Sequence, residues 1–244
     1  MGERIDDTGF GGIKVIQHEG LGYGVDSVLL AAFAAGETGA RSIAEGDKIV
    51  DLGSGSGVIG FILSHKIKDC KILGIECREN AVDRARRAVE LNNLEERVKF
   101  VRADVKNYYS DVKYDAVVSN PPYFRQNAAI PSGTDDKYIA RHETTATVAD
   151  FIRTSAKLLD VGGNFYMVHR PDRLVDIIAE MRTSGIEPKH LQMVVPKAGE
   201  AANIVLIHGV KGAGKELKLL PEIAVHMEDG NYTEVVNKLY ERGE

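Results

Sequence analysis

The 244-residue chain contains no tryptophan, only two cysteines and seven prolines, and no apolar run of membrane-spanning length. Cys70 and Cys77 are too few for a disulfide framework or for paired CxxC metal knuckles. A small secreted scaffold and a zinc ribbon are therefore excluded, and a reducing cytoplasm is the expected setting. The seven histidines show no H-x-x-x-H spacing, so no metal is expected. The longest apolar stretch, Val28 to Ala35, is far short of a bilayer span, and the opening Met1-Gly2-Glu3-Arg4-Ile5-Asp6-Asp7 lacks the apolar segment of a secretion signal. No membrane association is expected. Basic charge is not in excess either: 31 Lys and Arg against 36 Asp and Glu leave a formal net charge of −5. That excludes a uniformly basic nucleic-acid coat but permits a local basic face. What is present is ordinary globular composition, 43% hydrophobic and 27% charged. At about 150 residues per domain, this length predicts one large domain, or one domain with a small appendage.

Near-continuous aliphatic runs recur at Lys48–Leu52, Lys71–Glu76, Val98–Val101 and Tyr114–Ser119. Strands this apolar are buried on both faces. Between them, Glu79 to Asn92 carries Ala81, Val82, Ala85, Ala88, Val89 and Leu91 near helical spacing, which predicts a crossover helix. A helix over Thr147–Leu159, a strand over Asn164–His169, a helix over Arg173–Thr183 stopped by Gly185, and strands over Leu191–Val195 and Ile204–Ile207 complete the pattern. The alternation predicts an α/β fold with a mostly parallel sheet. The short Pro196–Ala202 connection suits only an antiparallel hairpin, so an antiparallel final strand is expected to close the sheet edge. Residues 1–46 read as an N-terminal extension packed on the core, with a strand at Ile13–Gln17 and a helix to Ala35 capped by Asp26 or Ser27. Residues 47–244 read as the main domain. The long irregular segment from Phe124 to about Thr147 is of the kind that carries function.

Chemistry concentrates at the predicted strand ends. Asp51-Leu52-Gly53-Ser54-Gly55-Ser56-Gly57 follows the first aliphatic run and leads into a helical Val58–His65. Glycines admit a ligand close to the backbone, and the helix start offers free N–H groups. The spacing is not the G-x-G-x-x-G of dinucleotide sites. Glu76 ends the next strand roughly 20 residues on, the offset at which an acid bonds a ribose hydroxyl pair. Asp104, after the third strand, is placed to accept from an adenine amino group. The fourth strand ends in Asn120-Pro121-Pro122-Tyr123. Two prolines hold the backbone extended, aiming the Asn120 amide and a main-chain carbonyl at a substrate NH₂, while Tyr123 offers a face for a planar acceptor. An exocyclic or amide nitrogen is a poor nucleophile because its lone pair is delocalised. Two acceptors on its hydrogens draw it toward sp³ and prepare it for attack.

In this combination the sequence resembles the class I S-adenosyl-L-methionine-dependent methyltransferases. More narrowly, Ile13–Gln17, Tyr23–Phe33, Arg141-His142-Glu143 and Pro196-Lys197-Ala198-Gly199 resemble the bacterial tRNA1(Val) (adenine-37-N6)-methyltransferase family. The resemblance implies a Rossmann-like fold with a mostly parallel seven-stranded sheet, and S-adenosyl-L-methionine as cofactor. It implies cofactor contacts from Asp26, Asp51, Gly53, Ser54, Gly55, Gly57, Glu76, Asp104 and Asn120, with Asp26 near the cofactor's amino group. Asn120 and Pro121 would bind the adenine N6 group and Tyr123 would stack on the base, the three forming the catalytic set. Pro122, Phe124, Arg125 and Arg141 would contact the substrate, a tRNA, and the enzyme would be a cytoplasmic monomer. Two rival readings stand beside it: glutamine N5 methylation of release factors, whose enzymes carry a larger N-terminal domain, and a non-catalytic cofactor- or RNA-binding module.

Gly209-Val210-Lys211-Gly212-Ala213-Gly214-Lys215-Glu216 imitates a phosphate loop, but Glu216 stands where Ser or Thr would hold Mg²⁺, so an NTPase is rejected. Arg125, Lys137, Arg141, Arg170, Arg173, Lys189 and Lys197 are expected on the active-site side, where they would follow an RNA backbone.

Overall fold

A computed structural model describes residues 2–19, 22–123 and 146–242. Phe124, Arg125, Lys137, Arg141 and His142 lie outside the described residues. The chain opens with an antiparallel hairpin, β1 (Glu3–Asp7) and β2 (Lys14–His18), in which Ile5 faces Ile16. This two-stranded sheet stands apart from the main one, as expected. Its first strand, Glu-Arg-Ile-Asp-Asp, has too little apolar content to be read from sequence. Helix α1 (Val25–Ala34) follows, with residues Ser27 to Ala34 all buried. Neither expected cap forms. Gly24 occupies the cap position without a side-chain bond, because the helix begins at Val25 and so takes Asp26 and Ser27 into its first turn.

The main sheet is built from β3 (Lys48–Leu52), β4 (Lys71–Glu76), β5 (Val98–Arg102), β6 (Tyr114–Ser119), β7 (Leu159–His169), β8 (Ile186–Lys197), β9 (Ile204–Lys211), β10 (Lys218–Leu219) and β11 (Ile223–His226). The order is β5-β4-β3-β6-β7-β9-β8, with β10 and β11 both on the free side of β8. Strands β3 to β7 are parallel to their neighbours in that group, and β9 runs antiparallel to both β7 and β8. Two expectations need correction. The final long strand does not close the edge; it inserts between β7 and β8. Strand β9 is buried from Ile204 to Val210 and pairs along both sides, with β7 and β8, whereas β8 is buried at only half of its residues and meets the short β10 and β11 on its other side. The sheet also has nine strands where seven were expected, because β10 and β11 are too short to stand out by periodicity.

Alternation along the strands feeds two cores. Ile49, Ile72, Phe100, Val118, Tyr166 and Leu206 point to the face covered by α1, α2 (Val58–Lys66) and α3 (Glu79–Leu91). Val50, Leu52, Ile75, Val117, Phe165 and Val205 point to the face covered by α4 (Val148–Leu158) and α5 (Leu174–Thr183). A short helix, α6 (Glu234–Leu239), joins the first core. Helix α4 starts where the sequence places it, through a capping box: Asp150 N–H donates to the Thr147 hydroxyl at 3.3 Å and Thr147 N–H donates to the Asp150 carboxylate at 2.8 Å. The rejected phosphate loop begins inside β9 and continues as a turn to β10, with no helix after it.

Candidate active site

Strand β3 lies between β4 and β6, so the chain leaves it toward one side of the sheet and later returns on the other. Open α/β sheets form their ligand crevice at such a switch, outside the strand carboxyl ends. Four of the predicted groups converge there: the Gly53–Gly57 turn after β3, Glu76 ending β4, Asp104 after β5, and Asn120–Tyr123 after β6.

The turn is built on glycine by necessity. Gly53, Gly55 and Gly57 have φ of 75°, 57° and 85°, a region L side chains avoid. At Gly57 an added Cβ would also collide with the Phe100 ring. Gly53 and Ser54 N–H donate to the Ile75 carbonyl at 2.8 and 3.1 Å, pinning the turn against β4 just before Glu76. At Gly55 the nearest atom to an added Cβ among the described residues is in the Arg78 guanidinium at 3.8 Å, so this side of the turn is open to a ligand. Ser54 is buried, and its hydroxyl has no hydrogen-bond partner among the described residues.

Glu76 is 5% exposed yet ionised. Burial pushes its pKa up, but the Arg78 guanidinium and the Arg78 and Gly55 N–H groups outweigh that and hold it below the usual carboxylate range. Gly55 N donates at 2.9 Å, Arg78 N at 2.9 Å and Arg78 Nε at 3.0 Å. Beneath the turn, Asp51 is fully buried, and among the described residues neither of its oxygens has a hydrogen-bond partner in close geometry. Burial pushes its pKa up to about 7, the Glu76 charge adds to this, and the nearby Gly60 N–H only partly offsets it. Its folded pKa lies above the unfolded value, so its contribution is fully present below about pH 4 and is lost as pH rises through about 7. Asp51→Asn is thus expected to raise the melting temperature of the ligand-free protein by several degrees at about pH 8, on the order of a few kcal/mol, and to change it little at about pH 4. Thermal unfolding across pH checks this; a difference independent of pH refutes it.

Ser119 Oγ donates to the Leu52 carbonyl at 2.9 Å, tying the end of β6 to the end of β3. Asn120 emerges half-buried, Pro121 is buried and Pro122 exposed. Tyr123 is held at both ends. Its hydroxyl donates to Asp26 Oδ2 at 2.8 Å, and its ring meets His169 edge-on, with centroids 5.1 Å apart and planes at 69°. Burial first, then the Asp26 charge, raise the Tyr123 pKa well above the phenol value, so the hydroxyl remains a donor. Burial lowers the His169 pKa, leaving a neutral imidazole at neutral pH. Asp104 is exposed and accepts from Lys106 N–H at 2.9 Å, while Ala103 N–H donates to the Glu76 carbonyl at 3.0 Å, joining the two strand ends.

Three contributors escaped the sequence reading. Arg78 pairs with Glu76, His169 abuts Tyr123, and Phe100 fills the space beneath the glycine turn. Only His169 carried a usable signal, as the last residue of a predicted strand. Of the basic residues, Arg170 and Arg173 follow β7 and Lys197 ends β8 at the crevice end of the sheet. Lys189 is a correction: it sits near the start of β8, at the opposite end, with its Nζ on the Gly214 carbonyl at 2.7 Å. Strand β8 runs parallel to β7, which sends its first residues away from the crevice. Among the described residues no helix is long and apolar enough to cross a membrane.

The sheet order and crevice define a Rossmann-like fold, and the solved structures agree on it. A predicted O-methyltransferase of Agrobacterium tumefaciens superposes with a TM-score of 0.70 at 22% identity, covering 88% of this chain and 95% of that one. A 16S rRNA methyltransferase of T. thermophilus gives 0.58 at 18% identity, covering 86% and 50%. The profile of the methyltransferase small domain family matches residues 27–181, and the chain belongs to that family. It is an enzyme with S-adenosyl-L-methionine as its cofactor. The tRNA1(Val) (adenine(37)-N6)-methyltransferase of Bacteroides thetaiotaomicron is 28% identical over 225 residues, 89% of each chain. The Aeromonas hydrophila enzyme of the same name is 29% identical over 212 residues, 86% of this chain and 85% of that one.

The crevice suits this cofactor. The positive-φ glycine turn offers an open cradle at the start of α2, and the Glu76 carboxylate is held beside it.

Proposed function

We propose that the protein methylates the exocyclic N6 of an adenine in tRNA, with adenine 37 of tRNA1(Val) as the specific target. The observation that carries this reading is the Asn120–Tyr123 segment, fixed at the crevice by the Ser119–Leu52 bond at one end and the Tyr123–Asp26 bond at the other. The names and coverage of the curated relatives support the same acceptor.

In this reading Glu76 accepts from the cofactor's ribose hydroxyls, Gly53, Ser54, Gly55 and Gly57 line its path, and Asp104 faces its adenine. Asp51 sits fully buried beneath the turn and shapes it from below. S-adenosyl-L-methionine, when bound, supplies a methyl group on an electron-deficient sulfonium. The Asn120 side-chain carbonyl and the Pro121 main-chain carbonyl accept the two N6 hydrogens of the acceptor, drawing lone-pair density back onto nitrogen. The Tyr123 ring stacks on the base and Pro122 borders it, so the nitrogen is presented in line with the methyl group and positioning supplies much of the rate. The N6 proton leaves to water once the nitrogen has become cationic, so no strong base is required. Phe124, Arg125 and Arg141 would contact the RNA, with Arg170 beside Tyr123 adding positive charge. The base is reached by flipping it out of its stack.

The test is transfer of labelled methyl from S-adenosyl-L-methionine to unmodified bulk tRNA, followed by digestion to nucleosides, with release factor as a parallel acceptor. Label in N6-methyladenosine is expected. Label in release-factor glutamine would replace this reading with amide methylation, and no label in either would overturn both.

A further inference from the structure

The bond between Tyr123 and Asp26 joins residues 97 positions apart, and it comes from a helix outside the glycine turn and the four strand ends that form the crevice. Helix α1 is a stiff anchor. Eight consecutive residues from Ser27 to Ala34 are buried, and Asp26 stands immediately before them in its first turn. A carboxylate there is favoured by the helix dipole, and its hydrogen bond from a phenol is charge-assisted. Tyr123, by contrast, follows two prolines, which fix the backbone leading to it but not the torsions of its side chain. A tyrosine ring is set by two torsions. The hydroxyl tether at its far end and the His169 edge at its flank together define the plane.

We propose that Asp26 is a positioning residue for the acceptor: its carboxylate, carried on buried helix α1, anchors the far end of the Tyr123 ring, and with His169 at the flank it holds in place the face on which the acceptor base stacks. This rests on the stacking role given to Tyr123 above. Asp26 touches neither reacting atom; it acts through the phenol. Loss of the tether leaves the cofactor pocket built from β3 and β4 intact and loosens only the acceptor side. The N-terminal helix thereby becomes part of the substrate site, although it precedes the first strand of the main sheet.

The experiment is a double-mutant cycle on the full chain, with Asp26→Ala, Tyr123→Phe, their combination, and Asp26→Asn, which keeps an acceptor oxygen. Cofactor affinity is read by equilibrium titration, and kcat and acceptor KM by methylation of unmodified tRNA. Asp26→Ala and Tyr123→Phe are each expected to raise acceptor KM roughly tenfold, with the double variant no worse than either and Asp26→Asn recovering most of the loss. Cofactor affinity should stay within about twofold of the parent in all four, since the tether is not part of that pocket. Multiplicative losses in the double variant overturn the proposal. So does a loss of cofactor affinity in Asp26→Ala that Tyr123→Phe does not share, which would place Asp26 on the cofactor's amino group instead. The same cycle read by urea unfolding does not depend on the acceptor. Each single change should shift the folding constant by roughly tenfold and the pair no further. Coupling there without tRNA methylation by the parent counts against the tRNA reading alone, and additivity there counts against the tether.

Discussion

Asn120→Ala is expected to lower kcat for methyl transfer by about 10³-fold while leaving cofactor affinity nearly unchanged. The side chain supplies one of the two acceptors that draw the N6 hydrogens, and it emerges half-buried where β6 meets the crevice. Alanine removes that acceptor and keeps the backbone, because Ser119 still ties β6 to the Leu52 carbonyl and Pro121 stays buried. The nitrogen then retains its delocalised lone pair and presents a poorer nucleophile at a correct distance. Single-turnover rates with labelled cofactor, together with a binding titration, separate the two effects. Equal loss of rate and of cofactor affinity would contradict the assigned role.

Glu76→Gln reverses that pattern. Its carboxylate is held ionised by Arg78 and Gly55 with its two oxygens fixed in place, a preorganised acceptor for a pair of hydroxyls. A neutral amide keeps the volume, accepts at one atom only, and turns its NH₂ toward a donor, the guanidinium or the Gly55 N–H. Charged hydrogen bonds contribute about 1.5–3 kcal/mol each, so cofactor affinity should fall roughly 100-fold, with kcat at saturating cofactor reduced far less. The readout is the cofactor-induced rise in melting temperature, which should shrink with the logarithm of the lost affinity. An unchanged rise would remove Glu76 from the cofactor site.

The two variants act on opposite walls of one crevice, and each wall was legible to a different degree. The four aliphatic runs from Lys48 to Ser119 became β3 to β6, because a strand buried on both faces must be apolar throughout, and that leaves a mark in the sequence. Helix α3 was equally plain, since one face meets the core and the other meets water. Strand β1 left no such mark, being mostly charged and exposed, and β10 and β11 are too brief to show a period. The place of β9 was misjudged for another reason. A short connection shows that two strands pair, but it says nothing of which one also pairs with β7.

The sequence by itself determined the chemistry that can be attempted: a glycine turn with a φ that other residues avoid, an acid ending the second strand, and an asparagine stiffened by two prolines. These are local devices, written in consecutive residues, and the backbone constraints that make them work need no distant partner. Only the tertiary structure decided what state those groups are in. The Arg78 grip on Glu76, the only partly offset burial of Asp51, and the hold of Asp26 and His169 on Tyr123 all depend on which chain segments pack together. Charge state and side-chain orientation are set by surroundings in space, and a partner 97 residues away is invisible until the helix that carries it has docked.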